Sequence, residues 1–198
     1  KLQVGHPPGA PLFQMLGAFF STFAFEPSQV GLMMNIMSAV ASAFTILFMF
    51  WTITLLLNNI ILKNNERSPS QAIAILGSGL VGSLAFAFTD SFWFNAVETE
   101  VYAMATLIMA ILFWLGLRWE QDMDKPRGNR WLILIAFVIG LSFGVHFMGL
   151  LTIPAIGLIY YFKNYKTITL KNFIIANAVS VGILLFVFKL LAPNILKI

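Results

Sequence analysis

The sequence predicts an all-α, polytopic helical membrane protein. Its 198 residues are 59% hydrophobic and only 10% charged, whereas soluble domains contain about 45–50% apolar and about 25% charged residues. So few charges cannot cover a soluble domain of this size, and the high hydrophobicity excludes a disordered chain. The apolar residues also form long runs without a charge, which is typical of helices that cross a bilayer.

Composition excludes two further classes of site. The chain has 0 cysteines, so disulfides, thiolate metal sites and cysteine nucleophiles are absent. The net charge of +4 could indicate nucleic-acid binding, but the basic cytoplasmic loops of a membrane protein supply the same excess of Lys and Arg. The sequence has no basic stripe with interleaved aromatic residues outside the loops, so we predict no nucleic-acid partner. Lys1 replaces an initiator Met, no signal peptide follows, and the chain stops directly after an apolar stretch. We therefore expect a piece of a longer protein, truncated at both ends.

The apolar runs predict about six membrane spans. A span needs about 20 apolar residues, so the uncharged run 131–162 is too long for one crossing at about 1.5 Å per residue. Basic residues flank this run on both sides, and the run must therefore cross twice and turn within residues 141–149. We predict spans over residues 30–57, 71–88, 101–117, the two halves of 131–162, and 173–188.

The loop charges predict the orientation of these spans. Residues 58–70 and 118–130 carry Lys and Arg and belong on the cytoplasmic side. Residues 89–100 carry three acids and no base, so we place them outside, together with the turn around His146. Because these spans lie in a membrane, the lipid bilayer is one predicted partner of the chain.

The N-terminal part is predicted to lie outside the bundle. Residues 11–25 form a short apolar segment that could cross from inside to outside or lie along the outer interface. The proline-rich loop before this segment favours the interfacial alternative. We therefore divide the chain into an external loop with an interfacial helix, residues 1–29, and a transmembrane bundle, residues 30–198.

Ionisable residues are nearly absent from the spans and gather at the external end, as they would at a site on the outer face of a bundle. If a helix runs from about Asn95, then Asn95, Glu98 and Tyr102 share one face and Glu100 points elsewhere. Glu98 then becomes the candidate for acid–base chemistry, metal binding or orientation of a partner group. No His-x-x-x-His or Glu-x-x-His pair indicates a strong metal site. The gathered residues are His6, Asp90, Glu98, Glu100 and His146.

Each of these signals also has a purely structural interpretation. Carboxylates near a helix N-terminus are stabilised by the helix dipole and by water. His6-Pro7-Pro8 can be a stiff loop, because two prolines fix the backbone and remove two N–H donors. His146 can be a structural residue held by a hydrogen bond.

Three motifs, in this order and spacing, resemble a known family. They are GHPPGAPL at residues 5–12, FWFNAVE at 92–98 continued by EVYA at 100–103, and GLSFGVH at 140–146. Together they resemble the bacterial protein O-mannosyltransferase-like membrane family, which is related to vertebrate transmembrane protein 260. The resemblance extends from Lys1 to about residue 162.

The resemblance implies a C-type glycosyltransferase. Such an enzyme would transfer a sugar, here mannose, from a polyprenyl-phosphate donor to a protein Ser or Thr hydroxyl at the external face of the cytoplasmic membrane. The general base would belong to an acidic motif just before Lys1, which leaves Glu98 as the candidate within the chain. No cofactor beyond the lipid-linked donor is implied, and metal dependence stays open. The expected substrate-binding residues are His6, Pro7, Pro8, Asn95, Glu100, Tyr102 and His146.

Two alternatives to an enzyme remain open. A transporter or channel would carry ionisable residues or broken helices at mid-span, and the predicted spans nearly lack such residues. A non-catalytic subunit of an envelope complex would be favoured if the upstream acidic motif were missing from the full gene.

Overall fold

The structure, a computed structural model, describes residues 9–61 and 68–191, and within these ranges it contains helices and turns but no β-strand. The prediction of an all-α polytopic protein is confirmed. Short 3₁₀ turns, Pro27–Gln29 and Phe147–Leu151, lead into the second and seventh helices, and a π-helical turn, Val187–Leu191, extends the last one. The α-helices are α1 Pro11–Ser21, α2 Val30–Ile61, α3 Pro69–Ala87, α4 Asp90–Val97, α5 Val101–Asp122, α6 Arg130–Ser142, α7 Thr152–Asn164 and α8 Leu170–Phe186.

Four helical segments are long and apolar enough to cross a bilayer: Pro27–Ile61, Pro69–Ala87, Val101–Asp122 and Leu170–Lys189. The run 131–162 is divided as predicted, because α6 ends at Ser142 within the expected turn region. Its two helices, α6 and α7, have 13 residues each. Each is about 20 Å long at about 1.5 Å per residue. The total of six crossings therefore stays a prediction.

Two helices extend beyond the predicted membrane spans. The helix that contains the predicted span 30–57 continues to Ile61, and the helix that contains the predicted span 101–117 continues to Asp122. A polar contact joins the two extensions: the Gln121 side-chain amide donates a hydrogen bond of 3.1 Å to the Asn59 side-chain oxygen. Hydropathy marks where the apolar segment ends, and both helices continue beyond that point.

α5 is the central helix of the bundle. It packs against α2, α6 and α7, and Leu112 in its middle is 0% exposed. Gly116 permits a close approach to α7, since a Cβ there would lie 3.3 Å from Ile159 Cδ1. The buried core consists of Met37, Met104, Ala105, Ile108, Leu112, Leu115, Trp119, Ile135, Val145 and Ile156.

α1 belongs to the same core although it is short. Its 11 residues extend about 17 Å, well below the roughly 30 Å of a hydrocarbon core. Gly17 lies against Met34 of α2, whereas Met15 and Phe19 on the other side of α1 are 70% and 57% exposed. A helix with one face on a bundle and an apolar outer face is suited to the membrane interface, which remains our prediction for α1.

Candidate functional site

A cavity of about 440 Å³ opens where α1, α5 and the turn between α6 and α7 meet. Four polar residues line it: Gln14, Glu100, Tyr102 and His146. They come from three separate parts of the chain. Three phenylalanines, Phe13, Phe143 and Phe147, contribute apolar walls, and the lining is completed by Gly9, Ala10, Val101 and Val145. The cavity therefore combines hydrogen-bonding groups with aromatic surface.

The turn after α6 is fixed to the start of α1. The Gly144 carbonyl oxygen accepts hydrogen bonds from the backbone N–H groups of Leu12, at 2.8 Å, and Phe13, at 3.1 Å. These donors lie in the first turn of α1 and have no partner within the helix. Glycine is required at position 144, because a Cβ there would lie 2.7 Å from Leu12 Cβ. We call these two hydrogen bonds to the Gly144 carbonyl oxygen the clamp. The clamp holds two sides of the cavity together.

His146 is held in a defined orientation by this turn. Its backbone is extended, and its Nδ1 accepts a hydrogen bond of 3.2 Å from the Met148 backbone N–H. In the neutral ring the proton is therefore on Nε2, which can donate to a ligand. The imidazole packs against the Tyr102 ring with 5.5 Å between ring centroids and an interplanar angle of 54°. His146 thus offers a directed N–H donor.

Glu100 reaches the cavity because the chain is not helical between α4 and α5. α4 ends at Val97 and α5 begins at Val101. The Glu100 backbone N–H donates to the Glu98 carbonyl oxygen at 3.0 Å, and the Thr99 hydroxyl donates to the side-chain oxygen of Asn35 on α2. The connection is therefore tied to a neighbouring helix.

The break between α4 and α5 shows that one prediction is wrong. We expected one continuous helix with Asn95, Glu98 and Tyr102 on the same face and Glu100 pointing elsewhere, but the helix is interrupted between Val97 and Val101. Glu100 lines the cavity with Tyr102, whereas Glu98 is absent from its lining. Thr99, between the two helices, contacts a residue 64 positions away, and helix spacing within residues 95–102 cannot reveal such a contact.

The other predicted residues divide into three groups. Glu100, Tyr102 and His146 come together in the cavity. Asn95 does not line it, because its side-chain amide donates to the Ser91 carbonyl oxygen, 2.8 Å away in its own helix. His6, Pro7 and Pro8 lie outside the described residues.

The contribution of α1 to the cavity was not predicted from the sequence. Gln14 and Phe13 line the cavity, and the one available signal was that Gln14 interrupts an otherwise apolar run. Gly9, also in the lining, has a φ of +77°, a conformation that favours glycine. Phe143 and Phe147 are ordinary apolar residues in the sequence and gave no signal.

The polar groups of this cavity can bind hydroxyl and phosphate groups. A carboxylate accepts hydrogen bonds from hydroxyls, and an imidazole N–H donates to phosphate oxygens. Across residues 9–61 and 68–191, no three His, Asp or Glu side chains are grouped so that they could hold a metal ion. Both salt bridges in that part of the chain, Asp122–Lys125 and Asp124–Lys163, involve the opposite end of α5 or the residues just after it.

Comparison with known proteins gives a consistent family match. Residues 1–169 match the family model of the protein O-mannosyl-transferase TMEM260 N-terminal domain. The chain is 28% identical over 142 residues to protein O-mannosyl-transferase TMEM260 of Mus musculus, covering 72% of this chain and 18% of the mouse protein. It is 29% identical over 114 residues to protein O-mannosyl-transferase tmem260 of Dictyostelium discoideum, covering 57% of this chain and 12% of that protein.

The match spans less than a fifth of either relative's length. No solved structure matches the chain. The matched residues include all of the cavity lining from Gly9 to Phe147. With the family model covering 169 of 198 residues, the chain belongs to the family of the TMEM260 N-terminal domain.

Proposed function

We propose that this chain is a membrane-embedded part of a protein O-mannosyltransferase. The enzyme would transfer mannose from a polyprenyl-phosphate donor to a protein Ser or Thr hydroxyl. The observation that carries the proposal is the cavity of Glu100, Tyr102 and His146 with its phenylalanine walls, found in a chain whose relatives are named protein O-mannosyl-transferases.

Each polar group of the cavity has a role in this proposal. The Glu100 carboxylate accepts hydrogen bonds from hydroxyl groups of the sugar or of the acceptor. The His146 Nε2–H donates to a phosphate oxygen of the donor, where negative charge grows as the glycosidic bond breaks. Tyr102 packs on the imidazole and adds a hydroxyl that can donate or accept. Phe143 and Phe147 contact the apolar part of the lipid or the sugar.

The cavity is well placed for a substrate anchored in a membrane. Tyr102, at one end of α5, lies about 30 Å along the helix from Asp122 at the other end, and this is the thickness of a hydrocarbon core. We place the cavity end outside the cytoplasmic membrane, because acids occupy its loops while Lys and Arg collect at the opposite end.

Mannosyl transfer by the intact protein tests the proposal. The protein in lipid nanodiscs receives polyprenyl-phosphate mannose and a Ser/Thr-rich peptide, and mass spectrometry measures the glycopeptide. Glu100→Gln and His146→Gln should each lower kcat/KM about 10- to 150-fold, the effect of losing a hydrogen bond of about 1.5–3 kcal/mol to a charged group. Glu98→Gln is the matched control and should retain most of the activity.

Two results would contradict parts of this proposal. A greater loss in Glu98→Gln than in Glu100→Gln would return the role to Glu98 and reject the cavity assignment. No transfer by the folded wild-type protein with any lipid-linked sugar would reject the enzyme and favour a non-catalytic subunit. A transporter is disfavoured because α2 and α3 contain no charged residue, whereas transport pathways are lined by such residues.

A further inference from the structure

A second cavity, of about 400 Å³, lies at the opposite end of α5, where residues 123–129 connect it to α6. This volume is within the usual range of small-molecule sites, roughly 300–1,000 Å³. No role in mannosyl transfer follows from its position, since the length of α5 separates it from the first cavity. It is lined by Asp122, Lys125, Pro126, Arg127, Gly128, Arg130, Trp131 and Leu134.

The connection that forms this cavity is tightly built. The Asp122 carboxylate accepts hydrogen bonds from Lys125 Nζ at 2.7 Å and from Trp131 Nε1 at 2.9 Å. Gly128 is buried against the backbone, since a Cβ there would lie 2.1 Å from the Asp122 carbonyl oxygen. Arg127 has a φ of 69°. The Asp122 carboxylate therefore ties Lys125 and Trp131 together across the connection.

The charge of the lining is predominantly positive. Three cations, Lys125, Arg127 and Arg130, face one acid, Asp122, and that acid already pairs with Lys125. Asp124, the next acid along the connection, is outside the lining and lies 3.6 Å from Lys163 Nζ. Two guanidinium groups thus provide the net positive charge of the cavity, and guanidinium groups bind phosphate oxygens in bidentate fashion.

One wall of the cavity is apolar and opens toward the membrane-facing side of α6. Trp131 and Leu134 form this wall, and Leu134 and the neighbouring Ile133 are 41% and 72% exposed. The cavity lies about 30 Å along α5 from the first one, and this distance equals the thickness of a hydrocarbon core. A ligand that fits both the two guanidinium groups and the apolar wall has a phosphate group and a hydrocarbon chain.

We propose that this cavity binds an anionic phospholipid. Arg127 and Arg130 hold the phosphate, and an acyl chain lies along Trp131 and Leu134. Basic pockets beside transmembrane helices on the cytoplasmic side are suited to anionic headgroups. A soluble phosphate compound would use the guanidinium groups but would leave the apolar wall exposed to the bilayer, and we therefore assign the site to a lipid.

Native mass spectrometry of the detergent-solubilised intact protein tests this site. Phosphatidylglycerol and phosphatidylcholine with the same acyl chains are added in equal amounts, and the wild type should retain phosphatidylglycerol preferentially. Arg127→Gly and Arg130→Gln should each weaken its binding about tenfold or more, the effect of losing a hydrogen bond to a charged group. Glycine suits the φ of position 127, so this variant should keep the fold. Lys166→Gln, in the next basic connection, is the matched control and should bind as the wild type does.

Three results would overturn the proposal. The first is equal retention of the two lipids by the wild type. The second is a loss in Lys166→Gln as large as that in Arg127→Gly, which would indicate a diffuse charge effect. The third is displacement of phosphatidylglycerol by millimolar glycerol 3-phosphate in an Arg127-dependent manner, which would assign the site to a soluble phosphate compound.

Discussion

Replacing Gly144 with alanine should separate α1 from the turn that carries His146. The added Cβ would lie 2.7 Å from Leu12 Cβ and 3.3 Å from the Leu12 backbone nitrogen. Carbon atoms in contact are about 3.5–4.0 Å apart, so the two segments must move apart by about 1 Å. Leu12 Cβ is attached directly to the backbone and cannot rotate away, and α1 itself must therefore move.

The size of the effect follows from the hydrogen bonds that this movement breaks. The two N–H···O distances to the Gly144 carbonyl oxygen are 2.8 and 3.1 Å, and an increase of about 1 Å takes both beyond the range of a hydrogen bond. Each contributes about 0.5–1.5 kcal/mol, so opening of the first turn of α1 should become easier by about 1–3 kcal/mol. This change corresponds to about 5- to 150-fold faster amide exchange.

Hydrogen–deuterium exchange with mass spectrometry of the peptide containing Leu12 and Phe13 measures this effect directly. Gly140→Ala, one turn earlier in α6, is the matched control, because a Cβ there would meet nothing within 4 Å. Its exchange should match the wild type, and it should stabilise α6 by about 0.5–1 kcal/mol. Wild-type exchange of this peptide in Gly144→Ala would refute the clamp. We also expect Gly144→Ala to raise the KM of mannosyl transfer, since Phe13 and Gln14 move with α1.

Two further predictions test the orientation and the connection between α4 and α5. The chain has 0 cysteines, so a cysteine introduced by substitution is its single reactive thiol. Ser91→Cys should react with a membrane-impermeant thiol reagent added from outside, and Asn129→Cys should not. The reverse pattern would contradict the predicted orientation. Thr99→Val keeps the side-chain shape but removes the hydrogen bond to Asn35. We expect this variant to lower the free energy of unfolding, measured by SDS titration, by about 0.5–1.5 kcal/mol. It should also reduce mannosyl transfer. Thr89→Val is its control, and an equal loss of transfer in both would exclude a specific role for the connection.

The helices were predictable because hydropathy determines them. An uncharged run of 20 or so residues has few alternatives to a helix in a bilayer, where every backbone N–H and C=O must bond within its own segment. The turn within 131–162 followed from flanking charges, and α6 does end there, at Ser142. Hydropathy did not predict the ends of α2 and α5, since both helices continue into polar residues, where Asn59 and Gln121 form a contact across 62 positions.

The site was predictable in its composition but not in its geometry. His146 was predicted because ionisable residues gather at the external end, and Tyr102 because it would share a helix face with Glu98; both line the cavity. The choice between Glu98 and Glu100 depended on helix periodicity across residues 95–102, but α4 ends at Val97 and α5 begins only at Val101. Helix periodicity predicts which residues share a face only where the backbone stays helical.

α5 determines how the two cavities relate to each other. Its middle is fixed in the core, with Leu112 0% and Leu115 2% exposed, so the helix cannot slide along its neighbours without opening gaps in the packing. Its 22 residues therefore hold Tyr102 and Asp122 about 30 Å apart, close to the thickness of the hydrocarbon core. If an anionic lipid binds beside Asp122, the same helix sets the height of the Tyr102 cavity at the opposite membrane surface, where a lipid-linked sugar would present its phosphate.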